Sequence, residues 1–185
     1  MPELTTVVLN ECAFEYTTRF TLKNAGSLAN HPSILRHNPE ATVQDISELT
    51  DLSPTITHLI VDCCCCNDTS LKTLCFSYWK QLKVIEIGSH SMESVRVVKL
   101  VGLNVLEKVI VGMHCFTCRE SEDRQSKCIF TLRDCERLKE LRVGRESFTN
   151  YPIFDVSNLP SLEVIEMGSM ELRSSNFYPA SLELR

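Results

Sequence analysis

The sequence predicts an α/β repeat solenoid, in which stacked coils of about 24 residues carry a parallel strand ladder, with many strands and few helices. Three observations predict this fold: an apolar motif that recurs at this period, glycine after most of its copies, and a second apolar motif between the copies. Hydrophobic residues make up 43% of the 185 residues, which is enough for one shared core. We therefore expect residues 1–185 to form a single domain.

The first motif consists of leucine, two residues, an aliphatic residue, one further residue and a second aliphatic residue, usually followed by glycine. Its clearest copy runs from Leu82 through Ile85 and Ile87 to Gly88. The last residues alternate between inward and outward positions, which predicts a short strand. Glycine lacks a Cβ and lets the backbone turn away at a point where a side chain is unwelcome. The units begin near residues 4, 28, 56, 82, 106, 138 and 162.

Two further features accompany this motif. Four positions after the glycine position stands a large apolar residue that we expect to fill the turn; these residues are Phe14, Met92, Phe116, Phe148 and Leu172. Apolar residues at a spacing of two then follow, as at Phe130 and Leu132, and predict a second strand or an extended segment on the opposite side. Because no unit can bury its apolar residues alone, stacked units must share one core.

Two segments break the period. Residues 29–55 are predicted to be an irregular repeat or a linker, and Ile46, Leu49 and Leu52 at a spacing of three predict a short helix inside it. Residues 118–127 are mostly polar and predict an inserted surface loop. The sequence stops in mid-repeat, so we expect a fragment of a longer protein or a truncated product.

A family resemblance rests on the steps at residues 112–116 and 144–148, which share the pattern G-x-x-[SC]-F. With them the chain resembles the leucine-rich-repeat superfamily, and it looks closest to the BspA-like type. Residues 38–42 and 176–184 are similar to uncharacterised protist leucine-rich-repeat proteins. The resemblance implies a binding scaffold without a catalytic motif. Two units depart from it by carrying histidine in place of the usual asparagine, which puts a regular asparagine ladder in doubt. These residues are His90 and His114.

Ten cysteines raise the alternative of a cysteine-based metal or redox module. The adjacent residues 63–66 point in alternate directions on an extended chain, so they cannot close a tetrahedral site alone, and the last two fall on small-residue and turn positions of the repeat. Cys115 and Cys118, with Cys128 and His114 nearby, look like half of a zinc site. Cys115, however, occupies a packing position, and Cys118 and Cys128 bracket the inserted loop, where oxidation could join them. We expect no metal site and no cofactor.

Composition and missing motifs exclude several classes of function. A net charge of −5 argues against nucleic acid as a partner, and no apolar run reaches the roughly 18 residues that membrane insertion requires. With six glycines and no phosphate-binding loop, a small-molecule substrate is not expected. No nucleophile stands in a recognisable catalytic arrangement, so the chain is not predicted to be an enzyme. Because no secretory signal is seen, we predict a cytoplasmic protein with reduced thiols.

The outward positions of the strand ladder are the predicted binding site. They carry charges of both signs, and because neighbouring strands lie about 4.8 Å apart, these side chains form one surface. The predicted partner-binding residues are Lys83, Glu86, Glu107, Lys108, Lys139, Glu140, Arg142, Glu163 and Glu166. The chain is thus predicted to be a non-catalytic scaffold that binds a protein. A second alternative is a structural segment of a larger surface or adhesive repeat protein.

Overall fold

Parallel strands dominate the computed structural model, which describes residues 40–118, 128–169 and 172–180. The strands are β1 (Glu40–Val43), β2 (His58–Val61), β3 (Thr73–Cys75), β4 (Val84–Ile87), β5 (Val97–Val101), β6 (Lys108–Val111), β7 (Ile129–Arg133), β8 (Glu140–Val143), β9 (Ile153–Ser157) and β10 (Val164–Met167). Six of them form a sheet in the order β1-β2-β4-β6-β8-β10, here called the front sheet. The other four form the back sheet, in the order β3-β5-β7-β9. A strand-rich α/β fold with parallel sheets and few helices was predicted, and this much is confirmed.

The register of the front sheet follows the repeated motif. Ile85 of β4 lies beside Val109 of β6, and Val109 lies beside Leu141 of β8. These residues hold the same position in successive copies of the motif. Between one front strand and the next, from β2 onwards, the chain contributes one strand to the back sheet, where Phe130 pairs with Phe154. The back sheet therefore consists of the predicted second strands.

The leucines that open the motif lie in one hydrophobic core with inward residues of both sheets. Leu82, Leu106 and Leu138 are fully buried, and Leu162 is partly buried against the same core. Burying a leucine side chain stabilises the fold by about 1.5–3 kcal/mol. Cys135 stands at a core position of the second motif and is also fully buried, so it acts there as a small hydrophobic residue.

The irregular segment at residues 29–55 contains a strand that sequence reasoning missed. Ala41 of β1 pairs with Leu59 of β2, so β1 extends the front sheet by one strand. The short helix predicted next to it is confirmed as α1 (Ile46–Asp51), and the Asp45 side chain caps it by accepting from the backbone N–H of Glu48 at 2.9 Å. The units predicted near residues 4 and 28, with Phe14, lie outside the described residues.

Helical structure elsewhere is brief. One 3-10 turn spans Phe76–Tyr78 and leads towards the buried indole of Trp79. In the ranges that the structure describes, no helix has both the length and the apolar character needed to cross a lipid bilayer.

A ladder of hydroxyl and thiol groups joins the turns that follow the front strands. Ser147 is fully buried, and its Oγ donates to the carbonyl of Gly112 at 2.7 Å and accepts from the N–H of Cys115 at 2.9 Å. Ser91 makes the equivalent hydrogen bonds to the turn before it. Cys115 Sγ lies 3.0 Å from the carbonyl of Gly88, and burial raises the pKa of this thiol to about 11, which keeps it a donor. Serine and cysteine side chains thus link successive turns by hydrogen bonds to the backbone.

Glycine is required after β4, β6 and β8, where successive turns are in close contact, whereas Asp62 holds the equivalent position after β2. A Cβ added to Gly88 would lie 2.5 Å from the backbone nitrogen of Cys63, and one added to Gly144 would lie 2.6 Å from the carbonyl carbon of Gly112. Real Cβ atoms do not approach backbone this closely, so the turns could not stack with any other residue here. The prediction that a side chain is unwelcome at this position is confirmed.

The turn after β10 corrects one sequence prediction. Leu172, expected to fill this turn, is 60% exposed. Phe177 fills it instead, with its ring 4.9 Å from that of Phe148 and its N–H donating to the Phe148 carbonyl at 3.1 Å. Asn176 takes the ladder position beside it, since its Nδ2 donates to the carbonyl of Gly144 at 2.7 Å. The prediction was wrong because this turn is five residues longer than the spacing rule assumed.

Candidate functional site

Five of the nine predicted binding residues stand at outward positions of the front sheet, and the other four are exposed directly before its strands; together they form the surface here called the front face. Residues just before β4, β6, β8 and β10 form its margin row, which consists of Lys83, Glu107, Lys139 and Glu163. The N–H groups of the last three donate to the preceding member's carbonyl at 2.8–2.9 Å, and that of Lys83 donates to the carbonyl of Thr57 at 2.7 Å. The middle row contains Val84, Lys108, Glu140 and Val164. The outer row contains Ile60, Glu86, Ile110, Arg142 and Glu166.

Four of these residues form one connected network of ion pairs. Lys108 Nζ lies 3.0 Å from Glu140, and Arg142 forms hydrogen-bonded ion pairs with both Glu140 and Glu166. The hydrogen bond from Arg142, followed by that from Lys108, lowers the pKa of the Glu140 carboxyl below its ordinary value of 4.5. Glu140 in turn raises the pKa of the Arg142 guanidinium. The network holds these charges in fixed positions across β6, β8 and β10.

The other five predicted residues are exposed and stand apart from this network. Within residues 40–118, 128–169 and 172–180, their side chains make no hydrogen bond and no ion pair. They are Lys83, Glu86, Glu107, Lys139 and Glu163. A ligand that binds them would not have to break an existing pair within the chain, whereas one that binds the Arg142 network would.

An apolar patch completes the front face, and sequence reasoning did not count it as part of the site. Ile60, Val84 and Ile110 are half-buried at outward positions of β2, β4 and β6, and they surround the exposed Glu86. A signal was available, because a solvated strand position does not require an aliphatic residue. An apolar centre with a charged rim is the composition of many protein interfaces.

The histidines at the turns form a separate surface feature. The rings of His90 and His114 stack with centroids 4.7 Å apart, and His114 Nδ1 lies 3.3 Å from Glu146. All three residues adopt left-handed φ angles between 55° and 60°. They occupy equivalent places in successive turns, so the ladder of backbone hydrogen bonds holds them in a conformation that these residue types rarely adopt.

The cysteines divide into exposed, buried and bonded groups. Among the four adjacent cysteines, Cys63 and Cys64 are exposed, and Cys66 is buried with its thiol pKa raised to about 11 by desolvation. Cys118 and Cys128 form a disulfide, with Cα atoms 6.6 Å apart, and they flank residues 119–127, where an inserted loop was predicted and which lie outside the described part. No three His, Cys, Asp or Glu side chains are arranged to hold a metal ion among the residues that the structure describes.

The front face thus combines a fixed charge network, five unpaired charges and an apolar patch on parallel strands held by backbone hydrogen bonds. This arrangement can recognise a complementary surface. Comparison of the chain with family models, with curated proteins and with solved structures finds no match.

Proposed function

We propose that the chain is a leucine-rich-repeat solenoid of the BspA-like type, and that it is a non-catalytic scaffold that binds a protein on its front face. The solenoid interpretation is supported by the alternation of front and back strands and by the pairing of equivalent motif positions in β4, β6, β8 and β10. Repeats of this kind expose one strand face as a broad platform for macromolecular partners.

The observation that carries the proposal is the group of unpaired charges around the apolar patch. Because hydrogen bonds already order the strand backbone, a partner that packs against this face has to order side chains only, and the half-buried aliphatic residues among them lose little conformational entropy. The apolar patch supplies the hydrophobic contribution to affinity, and the charges select a partner with complementary signs. The backbone ladder preorganises both, because side chains on neighbouring strands keep their spacing.

The chemistry of the front face favours a protein over other ligands. Its nine charged site residues comprise four cations and five anions, interspersed along the strands, so the face does not offer the positive surface that a polyanion requires. A metal or redox module receives less support, because the disulfide occupies Cys118 and Cys128, two of the proposed ligands. Cys115, the third, is fully buried and has a raised thiol pKa, which also disfavours a role as nucleophile.

The cytoplasm remains part of the proposal. Seven cysteines in the described ranges are free, which suits a reducing compartment, whereas the single disulfide suits an oxidising one. Rapid acid quenching of cells followed by differential alkylation would show whether Cys118 and Cys128 are reduced or bonded in the cell. The cytoplasmic assignment requires the Cys118 and Cys128 thiols to be reduced in the quenched sample, and a bonded pair would contradict it.

The proposed binding face is tested by affinity capture with a charge-swapped bait. The test variant is Glu107→Lys combined with Lys139→Glu, which changes two unpaired charges and leaves the net charge unaltered. The control variant is Asp51→Lys combined with Lys99→Glu, which makes the same exchange at exposed positions of α1 and the back sheet.

We expect the test variant to lose proteins that the wild type captures, by at least about tenfold in yield, while the control retains them. Capture of the same proteins by both variants would show that the front face is not the binding site.

A further inference from the structure

We propose that the front face binds a second copy of this chain, so that two molecules associate face to face through a two-fold axis. This inference rests on the proposed function, because it names the partner of the same surface. The observation behind it is the margin row, where the signs alternate along four successive strands. The members of that row, in order, are Lys83, Glu107, Lys139 and Glu163.

A row with an even number of charges of alternating sign is complementary to a second copy of the same row that runs in the opposite order. Consider a two-fold axis that lies between the two faces, runs parallel to the strands and passes between β6 and β8. It places Lys83 opposite the second copy's Glu163, and Glu107 opposite the second copy's Lys139. Symmetry produces each of these contacts twice, which is the property of an isologous interface.

The alternation in this row is not explained by pairing within the chain. Cross-strand ion pairs commonly account for alternating charges on a sheet, and Lys108 with Glu140 is such a pair. The margin side chains, in contrast, form no ion pair with one another or with any other described residue. Their charges are therefore available to a second molecule.

The same axis also matches the middle row. Lys108 faces the second copy's Glu140, and Val84 faces the second copy's Val164. Lys108 and Glu140 are already paired within each molecule. The axis brings the pairs of the two molecules together so that each lysine lies opposite a glutamate, and the four charges alternate in sign. The strands of the two sheets then run in the same direction, which is the aligned arrangement in which sheets pack face to face about 10 Å apart.

The outer row is the least favourable part of this arrangement. Glu86 faces the second copy's Glu166, but Glu166 is already paired with Arg142 of its own chain. Arg142 faces the second copy's Ile110 and can cover it with its aliphatic stem. The like charges are thus partly neutralised from within each molecule.

Other placements of the axis produce more like-charge contacts. An axis through β6 would place Lys83 opposite Lys139 and would place Glu107 opposite itself. An axis perpendicular to the strands would oppose the margin row to the outer row, with Lys139 facing Arg142. The placement between β6 and β8 is the one that gives every margin charge an opposite partner.

The size of the matched surface predicts a weak dimer. Four strands span roughly 15 Å, so the facing patch measures a few hundred Å² per molecule, against about 800 Å² per partner in a standard stable interface. Most of its contacts are exposed ion pairs, which salt screens. Association is therefore expected at high protein concentration and low ionic strength.

Charge-swap variants test this pairing by sedimentation velocity over a concentration series at low and high salt. Wild type is expected to self-associate at low salt and to dissociate as salt rises. Glu107→Lys and Lys139→Glu, each alone, create two like-charge contacts per dimer and should weaken association at least tenfold. An equimolar mixture of the two single variants restores every opposite contact, and so does the double variant with itself. Both should associate about as strongly as wild type.

The mixture also serves as the folding control, because only folded variants can restore association. A wild type that stays monomeric at all concentrations, or a mixture that associates no better than its components, would overturn the proposal. These outcomes leave the proposed function untouched, because that function fails only if the double-variant bait still captures the wild type's partners. The two failures are therefore distinguishable.

Discussion

Replacing Ser147 by alanine would remove one rung of the serine and cysteine ladder that joins successive turns. The hydroxyl is fully buried, and it serves both the carbonyl of Gly112 and the N–H of Cys115. Alanine leaves the buried N–H of Cys115 and the part-buried carbonyl of Gly112 without this partner. A buried polar group that loses its partner costs about 1–3 kcal/mol, so we expect the free energy of unfolding to fall by about 2–4 kcal/mol.

Two comparison variants separate the lost hydrogen bonds from other effects of the change. Ser147→Cys supplies a thiol donor of the kind already present at Cys115, and we expect it to cost only about 1 kcal/mol. Ser161→Ala removes one solvent-accessible hydrogen bond, to the carbonyl of Glu136, and should change stability by less than about 0.5 kcal/mol.

Urea unfolding followed by circular dichroism measures all three variants against wild type, because the shift in midpoint at constant slope reports the change in stability. The expected order of destabilisation is Ser147→Ala, then Ser147→Cys, then Ser161→Ala. If Ser147→Ala and Ser147→Cys were equally stable, the ladder would not contribute as the structure implies.

Three more outcomes are expected. Glu140→Gln should lower the melting temperature more at pH 7 than at about pH 3, because the pKa of Glu140 is depressed in the folded state. Its stabilisation is fully present above about pH 4.5 and is lost progressively as the pH falls through the folded value. An equal effect at both pH values would contradict this. Iodoacetamide should modify Cys75, which is exposed and has a pKa lowered by its hydrogen bond with Ser77, well before the buried Cys66, as peptide mapping can show; equal rates would refute the burial. Replacing both Cys118 and Cys128 by serine should lower the free energy of unfolding, measured in urea, by about 2–3 kcal/mol relative to the oxidised wild type. An unchanged midpoint would argue against the disulfide.

The front strands were predictable where the motif is complete. Around β4 the leucine, the alternating aliphatic residues and the glycine all agree, and the structure places a strand there. In β1 the leucine position is occupied by Asn38, and Ala41 is a weak apolar signal. This segment forms a strand because it pairs with β2, and the local sequence alone does not predict that pairing. Phe177 was missed for a related reason, because a longer turn moved the filling residue away from its expected position.

The site was predictable in its composition but not in its pairing. Alternation along β4 was enough to place Glu86 on the front face, whereas Lys83 precedes the strand and has the parity of the buried Ile85, so alternation alone does not place it there. Alternation also could not show that Glu140 is paired while Glu107 is free, because the pairing of Glu140 depends on Lys108 of another strand as well as on the nearby Arg142. The left-handed backbone at His114 was not predicted, because histidine adopts this conformation more often than most residue types but still only in a minority of cases.

The register of the front sheet is the claim on which the position of every site residue depends, and methyl NOE spectroscopy on selectively labelled protein tests it most directly. The account predicts strong NOEs from Val109 to both Ile85 and Leu141, because these residues are neighbours on adjacent strands. A slip of one residue would turn the front-face charges towards the core. NOEs to Ile85 and Leu141 from Ile110 instead of Val109, or no NOEs among the strands, would contradict the fold and the binding face together.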